Sequence, residues 1–340
     1  MMILGIETSC DDTAAAVLGT DRLLSSVVSS QDEVHGPYGG IVPELASRNH
    51  VANVLAVIHA ALDQAHVELA EIGGIAVTYG PGLVGSLLVG LSAAKGIAFS
   101  RGIPLVGVNH LEGHMLAIFL ERQLEFPYVA LLVSGGHTSL YLAEAAGQYR
   151  RLGTTRDDAA GEAFDKAAKM LGLGFPGGRV IDGLAREGDA SSIRFPRAVV
   201  RGRKYDFSFS GLKTALREFL RKEHGIVSGG EGVRRLERRD LCDVAASFQQ
   251  AVIDMLVART LAAAEELGAS RIVVSGGVSA NSRLRAEMQA KGGTRGLEVH
   301  FPSLRFCTDN AAMIAYAGAR RLERGERDAL SLNAVATLPL

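Results

Sequence analysis

MMILGIETSCDDTAAAVLG, residues 1–19, contains two apolar runs joined by a turn of small and polar residues. The same arrangement returns in YVALLVSGGHTSLYLAEA, residues 128–145, where the turn is GGHT. Each stretch predicts a β-hairpin, because short apolar and β-branched runs bounded by turn residues are typical of buried strands. Two such hairpins far apart in the chain favour duplicated lobes that face each other across a cleft. The spacing alone is also compatible with ordinary hairpins in one antiparallel sheet.

Short apolar runs alternate with longer amphipathic patterns along the rest of the chain. The predicted strands are Ile3–Ile6, Ala14–Leu18, Ile75–Thr78, Leu105–Val108, Val129–Val133 and Ile272–Val274. The predicted helices are Pro43–Gln64, Asp158–Leu171 and Asp240–Leu267, which carry apolar residues at three- and four-residue spacing. This alternation predicts an α/β fold.

Composition limits the class of protein. A chain of 340 residues exceeds the usual single-domain size, which favours two lobes. Lysine plus arginine (36) nearly cancels aspartate plus glutamate (37), so any RNA binding must come from local patches or a partner. Three cysteines argue against a disulfide framework and for a reducing compartment, with cytoplasm as the default.

No stretch predicts a membrane segment or a leader. The N-terminus lacks the basic start and apolar core of a signal peptide. The longest apolar region, Leu83–Phe99, is interrupted by glycines and Lys95 and is too short to span a bilayer. We expect it to form a buried helix.

A third turn of small residues lies in VVSGGVSANSRLR, residues 273–285. A strand that ends in Gly276 and Gly277 before a helix places backbone N–H groups where a nucleotide can bind. The turn at Gly135 and Gly136 offers amides to a phosphate in the same way. Asp165 and Asp182 lie on predicted helices; each could reach a ribose hydroxyl or simply belong to a solvated face. The absence of a GxxxxGK[ST] motif argues against a P-loop NTPase.

The motif NHLEGH, residues 109–114, places His110 and His114 on one face of a predicted helix, as a single divalent metal requires. The alternative is a capped helix with surface histidines. Asp309 follows Thr308, a good N-cap residue, and could complete the site or could serve only the helix dipole. Two histidines and a carboxylate leave coordination positions open, and both iron and zinc suit them.

The histidine pair also invites a metalloprotease interpretation. Zinc proteases with HExxH need the glutamate directly after the first histidine, so that it faces the metal-bound water. Here Glu112 is two positions after His110. A general base at that position points the wrong way, which argues against a protease.

One stretch, residues 193–217, interleaves basic and aromatic residues. The basic residues are Arg194, Arg197, Arg201, Arg203, Lys204 and Lys213, and the aromatic residues are Phe195, Tyr205, Phe207 and Phe209. Basic side chains neutralise phosphates and aromatic rings stack on exposed bases, so this is the candidate RNA surface. An equally good alternative is a basic loop whose aromatic residues anchor it to the core.

Taken together, the motifs resemble one known family, the bacterial tRNA threonylcarbamoyl-adenosine transferases, once described as O-sialoglycoprotein endopeptidases. They occur in the family's order over nearly the whole chain. The motifs are GIETSCDDTAAAV, YGGIVPELASRNH, GPGLVGSLLVG, NHLEGH, LVSGGHT, DDAAGEAFDKAAKMLG, FPGG, DFSFSGLKT, SGGVSAN and FCTDNAAMIAYAG.

The resemblance implies an actin-like (ASKHA) α/β fold with two duplicated lobes and a central cleft. The expected lobes are 1–110 with about 315–340, and 111–314. The implied reaction moves the threonylcarbamoyl group of threonylcarbamoyl-AMP to the N6 amine of the adenosine 3′ of the anticodon, in tRNAs that read codons starting with A. AMP is the other product.

The family pattern also implies site residues. His110, His114 and Asp309 would hold one divalent metal, with iron (Fe²⁺) expected and zinc the alternative. Asp11 and Asp12 lie near the reacting group, and we hypothesise that one of them assists proton removal. The residues implied in binding the adenylate are Leu132, Val133, Ser134, Gly135, Gly136, Asp165, Gly178, Asp182 and Asn281.

Small departures from the family pattern occur at Asp12, where glutamate is frequent, at Asn109, where a third histidine often stands, and at Ala311, where glycine is common. None removes a metal ligand. The shorter carboxylate at Asp12 makes its role the least secure inference.

The implied partners are tRNA, a paralogue that lacks the histidine pair and forms a dimer with this chain, and a small P-loop ATPase. A separate synthase would supply the adenylate. Two other functions remain open at this stage: a non-catalytic subunit, against which the retained histidines argue, and an actin-like ATPase or small-molecule kinase. Phosphoryl transfer without tRNA would favour the kinase.

Overall fold

The computed structural model describes residues 1–20, 22–225 and 236–340. The described chain divides into two compact units, one formed by Met1–Leu124 with Pro302–Leu340 and the other by Glu125–Phe301. The sequence placed the changes of lobe near residues 110 and 315. In the structure the helix that carries the histidine pair packs against the helix that follows Asp309, so both helices belong to the first unit.

The elements follow one another in a regular α/β order. The strands are β1 (Met2–Glu7), β2 (Thr13–Leu18), β3 (Leu23–Ser29), β4 (Ile72–Gly80), β5 (Leu105–Asn109), β6 (Tyr128–Val133), β7 (Thr138–Ala145), β8 (Gln148–Thr154), β9 (Arg271–Ser275) and β10 (Glu298–His300). The helices are α1 (Asp32–His35), α2 (Pro43–Ala65), α3 (Val84–Arg101), α4 (His110–Leu116), α5 (Ala160–Met170), α6 (Gly177–Ala185), α7 (Ser210–His224), α8 (Arg238–Glu266), α9 (Ser282–Gly293) and α10 (Ala311–Glu323). Every strand and helix predicted from periodicity is confirmed, with ends displaced by up to three residues.

Each unit contains a five-stranded sheet built on the same plan. The first sheet has the order β3-β2-β1-β4-β5 and the second has the order β10-β9-β6-β7-β8. In both sheets three consecutive strands form an antiparallel meander. A fourth strand then pairs in parallel with the first strand of the meander, and a fifth pairs in parallel with the fourth. The duplication predicted from the two hairpins is confirmed, and a single antiparallel sheet is excluded.

Two separate apolar cores follow from this plan. In the first unit, β1, β4 and β5 bury Leu4, Ile75 and Leu105 against α2 and α3. In the second unit, Phe164 and Phe248 lie in a core formed mainly by β6, α5 and α8. Burial of such apolar surface is the main driving force for each unit to fold.

Helix α8 is long and apolar enough to cross a membrane by length and composition. Within the described residues it is the one helix with this property, and 72% of its apolar window is buried inside the protein. Its apolar residues, Phe248 and Leu256 among them, form part of the second core. Helix α8 is therefore a core helix of the second unit.

Helix α3 was expected to be buried, and this prediction is only partly correct. Leu87 and Leu91 are buried in the first unit, but Val84 and Leu88 are exposed, and Phe99 is 76% exposed. Polar residues at regular spacing would have indicated the solvent-exposed face of this helix, but the apolar run has none, so the sequence does not identify the buried face. The helix therefore buries one side and leaves an apolar side open.

Candidate functional site

The histidine pair is set by the end of strand β5 and the start of helix α4. Asn109 ends the strand and caps the helix, because its side-chain oxygen accepts a hydrogen bond from the amide of Leu111 at 2.9 Å. His110 is thus the first helical residue, and His114 lies one turn later. Their ring centroids are 4.7 Å apart, and both side chains are buried. The prediction of two imidazoles on one helix face is confirmed, and surface histidines are excluded.

Asp309 lies just before helix α10 and not inside it. The helix begins at Ala311, and its cap is Asn310, whose side chain accepts a hydrogen bond from the amide of Met313. The expectation that Thr308 caps this helix is wrong, because Asn310 lies next to the first turn and its short amide reaches the free N–H groups. The cap of this helix is therefore supplied by Asn310 and not by Asp309.

The carboxylate of Asp309 faces both histidines. Its Oδ1 lies 3.1 Å from His114 Nε2 and 3.5 Å from His110 Nε2. One ligand atom from each of the three residues falls within 4.8 Å of the other two. Three residues distant in sequence thus converge, and the group could hold a metal ion.

The residues present fit a divalent cation. Ligand atoms that each lie about 2.1 Å from one tetrahedral ion are roughly 3.4 Å apart, close to the distances of 3.1 Å and 3.5 Å between Asp309 and the two imidazoles. Two neutral imidazoles and a carboxylate suit a borderline cation and leave positions open for substrate. Within the described residues His114 Nδ1 is buried without a hydrogen-bond partner, so the ring is held by packing and not by a competing polar contact at that atom.

A buried carboxylate lies behind His110. Glu7 Oε2 is 3.0 Å from His110 Nδ1 and accepts a hydrogen bond from the hydroxyl of Thr78 at 2.6 Å. The hydroxyl of Ser9 lies 3.1 Å from the same imidazole nitrogen, and the amide of Ser9 donates to Glu7 Oε1. Glu7 was not among the site residues predicted from the sequence. A single acidic residue at the end of the apolar run ILGIE was the available signal.

These contacts shift the pKa values of the cluster in opposite directions. Burial opposes ionisation of Glu7, but the charge and hydrogen bond of His110 outweigh it, so the pKa of Glu7 is lowered. Burial also opposes protonation of His110, but Asp309 and Glu7 attract the proton and raise the pKa of His110 to about 9. Burial dominates at His114, and its pKa is lowered. The cluster thus attracts positive charge chiefly at His110.

Asp11 and Asp12 form the turn that follows β1 in the same unit. Burial, together with the negative charge of Asp309, raises the pKa of Asp11. For Asp12, burial, Asp309 and then Asp11 raise the pKa to about 8. A cation held by Asp309 would offset this repulsion. Both aspartates therefore lie within the electrostatic reach of the candidate metal group.

Glu112, which lies between the two histidines in the sequence, pairs with Arg321. Its carboxylate is buried, with Oε2 3.8 Å from the guanidinium of Arg321. Arg321 also donates to the carbonyl of Gly107 at 2.7 Å. Glu112 is thus balanced by a cation on helix α10, which agrees with the argument against a metalloprotease.

The second unit carries the glycine turns. Gly135 and Gly136 follow β6, and an added Cβ at either would meet no atom within 4 Å, so a ligand can approach this backbone. Gly161, in the first turn of α5, packs directly on it, since a Cβ there would lie 2.6 Å from Gly135 Cα. The turn consequently lies beside a helix N-terminus, a place that favours phosphate.

The turn after β9 lies next to the turn after β6. Gly276 has φ +90°, and a Cβ there would lie 2.4 Å from the carbonyl oxygen of Val133. Leu132, Val133 and Ser134 are all buried, whereas Gly135 and Gly136 are exposed. The close contact of the two turns requires glycine at position 276.

The polar residues predicted to bind adenylate lie around these turns. Asp182 accepts hydrogen bonds from the hydroxyl of Ser282 at 2.8 Å and from its amide at 3.3 Å. Asn281 caps α9 and donates to Gln249 at 2.6 Å. Asp165 accepts from the amide of Gly177 at 2.8 Å. These side chains connect α5, α6 and α9.

Gly178 follows at the start of α6, where an added Cβ would come no closer than 3.9 Å to another atom. All nine residues that the family pattern implies in adenylate binding belong to the second unit, whereas the metal group and the acidic turn belong to the first.

The basic and aromatic stretch exposes its basic residues and packs its aromatic residues into the second core. Phe195, Phe207 and Phe209 are buried and cannot stack on bases. Arg197 pairs with Asp254 at 2.6 Å, and Lys204 pairs with Glu266. The prediction of a stacking surface for RNA is wrong for these three rings, because apolar burial stabilises them more than an exposed position would. The alternative, a basic loop anchored by its aromatic residues, is confirmed.

Solved structures of similar fold support the predicted fold class. Full-length HypF in its phosphate- and nucleotide-bound form matches with a TM-score of 0.62 and 14% identity, over 95% of this chain and 56% of that one. Component A of the (R)-2-hydroxyglutaryl-CoA dehydratase of Acidaminococcus fermentans matches with a TM-score of 0.54 and 16% identity, over 95% and 99% of the two chains. At such identities the likeness concerns the fold alone, which is the predicted actin-like α/β fold.

Sequence comparison is more specific. The tRNA N6-adenosine threonylcarbamoyltransferase of Geotalea uraniireducens is 52% identical over 100% of this chain and 97% of its own length. The family model for tRNA N6-adenosine threonylcarbamoyltransferase matches residues 22–316, a range that includes the histidine pair and Asp309. The chain therefore belongs to the tRNA N6-adenosine threonylcarbamoyltransferase family, a family of enzymes that modify tRNA.

Proposed function

We propose that this enzyme transfers the threonylcarbamoyl group of threonylcarbamoyl-AMP to the N6 amine of the adenosine 3′ of the anticodon, in tRNAs that read codons starting with A, and releases AMP. The observation that carries the proposal is the convergence of His110, His114 and Asp309 within 4.8 Å in a chain of this family. An actin-like kinase has no need of two buried imidazoles aimed at one carboxylate.

In this proposal the first unit acts on the carbamoyl end of the donor. His110, His114 and Asp309 would hold one divalent metal ion, iron in the first place and zinc as the alternative. When bound, the ion would supply Lewis-acid polarisation of a carbonyl and a template for the donor. Such help suits the reaction, because the exocyclic amine of adenine is a poor nucleophile.

Asp11 or Asp12 would take the proton that the N6 amine loses. Burial is the first cause of the raised pKa at both aspartates, and a carboxylate with a raised pKa is a better general base than an ordinary aspartate. The two aspartates are distinguished by single-turnover transfer with Asp11→Ala and Asp12→Ala. Unchanged rates in both variants would exclude a role for this turn.

The second unit would bind the adenylate. Backbone amides of Gly135 and Gly136 and the N-terminus of α5 favour a phosphate, and the open space at both glycines supports this assignment. Leu132, Val133 and Ser134 lead directly into this turn. Asp165, Gly178, Asp182 and Asn281 would contact the nucleoside. The carbamoyl–phosphate anhydride bond breaks as the bond to N6 forms, and AMP leaves with the phosphate held by these amides.

A paralogous dimer partner, without the histidine pair, is proposed to dock on helices α2 and α3. The two helices begin side by side, since a Cβ on Gly85 would lie 2.4 Å from Ser47 Oγ. Val51 and Leu55 on α2 are 66% and 67% exposed, and α3 exposes Val84 and Leu88. Exposed apolar side chains on neighbouring helices are typical of a protein interface.

The dimer proposal is tested with Leu55→Asp, measured by sedimentation with the purified partner. We expect loss of the complex, while Ala60→Asp, which also adds a charge at an exposed position of α2, serves as a control. A small P-loop ATPase, a separate synthase and a cytoplasmic setting complete the proposed system.

The activity is tested with the purified chain, its partners, threonylcarbamoyl-AMP and unmodified tRNA, followed by nucleoside analysis. We expect threonylcarbamoyladenosine with wild type and none above background with His110→Ala. The matched control is His224→Ala, in the last turn of α7, which should retain full transfer. Modification by His110→Ala at the wild-type rate, or phosphoryl transfer without tRNA, would contradict the proposal.

A further inference from the structure

Glu7 lies beside the candidate metal group, and the proposed reaction does not use its charge. It ends β1, the strand between β2 and β4 in the first sheet, and its side chain is fully buried. A buried carboxylate is costly unless donors surround it. Glu7 has three such neighbours: the hydroxyl of Thr78, the amide of Ser9 and Nδ1 of His110.

The contact with His110 determines which nitrogen of the ring faces the candidate ion. An ionised carboxylate can only accept a hydrogen bond, so Nδ1 of His110 carries the hydrogen toward Glu7 Oε2, 3.0 Å away. The lone pair of a neutral ring is then on Nε2, the atom that lies 3.5 Å from Asp309 Oδ1. The contact thus holds both the tautomer and the direction of the ring.

We propose that Glu7 is a positioning residue for the metal group, which holds His110 with Nε2 directed at the ion and strengthens that nitrogen as a ligand. The inference rests on the proposed metal site. A carboxylate behind a ligating imidazole commonly acts in this way, and its loss typically weakens metal affinity about 10- to 100-fold.

The two histidines are not equivalent in this respect. Within the described residues His114 Nδ1 has no hydrogen-bond partner, whereas His110 Nδ1 has Glu7 and Ser9 within reach. At Nδ1, His110 is therefore oriented by polar contacts and His114 by packing, although Nε2 of both rings faces Asp309. Loss of the Glu7 charge should act on His110 and leave the position of His114 unchanged.

A purely structural role for Glu7 is the alternative, since its contact with Thr78 joins β1 to β4. Glu7→Gln keeps the size of the side chain and removes its charge. Glu112→Gln is the matched control, because Glu112 is also a buried carboxylate of this unit but pairs with Arg321. A structural role would lower the unfolding temperature of the metal-free protein and leave the affinity of the folded fraction unchanged.

The experiment titrates metal-free full-length protein with Co²⁺, with its visible absorption as the readout and the unfolding temperature measured in parallel. We expect Glu7→Gln to bind Co²⁺ about 10- to 100-fold more weakly than wild type, with a changed visible spectrum, and Glu112→Gln to bind within about threefold of wild type. Equal affinity of Glu7→Gln and wild type would overturn the inference and leave the metal site standing. Wild type that binds no Co²⁺ would overturn both.

A second measurement needs no variant and so does not depend on the folding of Glu7→Gln. In Zn²⁺-loaded wild type labelled with ¹⁵N-histidine, the ring nitrogens of His110 report which atom is bound to the metal. We expect a protonated Nδ1 and a metal-bound Nε2. Zn²⁺ bound through Nδ1 would contradict a hydrogen bond from that atom to Glu7 and would overturn the inference.

Discussion

The two units share one strand plan but have different chemistry at corresponding places. In the first unit the turn after the first strand carries Asp11 and Asp12, and the last parallel strand leads into His110. In the second unit the corresponding first turn is Gly135–Gly136, and Gly276 follows β9, the strand that lies beside β6 as β4 lies beside β1. The first unit therefore presents charged side chains, whereas the second presents backbone amides. A duplicated scaffold has become specialised through the residues at its strand ends.

The largest effect on activity is expected when the candidate metal group of the first unit loses a ligand. Asp309→Asn removes the carboxylate that faces both histidines, and we expect tRNA modification to fall by more than about 100-fold, because a neutral amide is a poor ligand for a divalent cation. The measurement is the initial rate of threonylcarbamoyladenosine formation, with Co²⁺ binding alongside. Asp240→Asn, which removes an acidic residue from the first turn of α8, should stay within about twofold of wild type. A fully active Asp309→Asn enzyme would contradict the proposed metal site.

The turn after β9 in the second unit depends on glycine at position 276. Gly276→Ala places a Cβ 2.4 Å from the carbonyl oxygen of Val133 at a backbone φ of +90°. We expect the free energy of unfolding to fall by about 2–3 kcal/mol, from strain and from the clash of backbone atoms. Urea denaturation measures this effect. Gly174→Ala, where a Cβ would meet no atom within 4 Å, is the control. Equal stability of the two variants would contradict the packing described here.

A charge placed in the amide-rich turn tests the contrast directly. Gly136→Asp should fold, because the space around this position is open, but its carboxylate should repel the phosphate of the donor. We expect the Kd of an adenylate to rise about tenfold, equivalent to about 1.4 kcal/mol. Calorimetry with AMP measures it. Gly136→Asn has nearly the same size without the charge, and an equal loss in that variant would point to shape and not to electrostatics.

The smallest expected effect concerns the acidic turn of the first unit. The pKa of Asp12 in the folded protein, about 8, is higher than its ordinary value of 3.8. The folded state therefore holds this proton more firmly than the unfolded state, and the resulting stability is lost as pH rises from about 4 through about 8. Asp12→Asn cannot titrate, so metal-free Asp12→Asn should gain about 1 kcal/mol or more relative to wild type between pH 5 and pH 8.5.

Chemical denaturation at several pH values measures this difference. Asp63→Asn, which removes an exposed carboxylate of α2, is the matched control and should show a much smaller change with pH. A stability difference between Asp12→Asn and wild type that does not vary with pH would show that Asp12 is not held in the environment described.

Local patterns were enough to predict much of the fold. The strands and helices with clear periodicity are present, and the two hairpins correctly indicate a duplication. The pair His110 and His114 was also accessible, because one helical turn separates the two residues. The turn at Gly135 and Gly136 was predicted from the two glycines after an apolar run, and the structure has open space around both; its role in binding a phosphate stays a prediction.

Contacts between residues that are distant in sequence could not be predicted from local patterns. Glu7 meets Thr78 and His110 across 71 and 103 positions, so no local spacing identifies it. The cap of α10 is Asn310 and not Thr308, although both residue types favour that position. Phe207 and Phe209 proved buried in a stretch whose composition also suited an RNA surface.

The amino-acid sequence by itself determined the periodic elements, the duplicated hairpins and the residue types able to bind a metal, because these depend on neighbours a few positions apart. Only the tertiary structure decided that Asp309 meets both histidines, that Glu7 lies behind one of them and that α2 and α3 keep an apolar side exposed. Burial and close approach depend on which surfaces the folded chain brings together, and the packing of whole elements sets this.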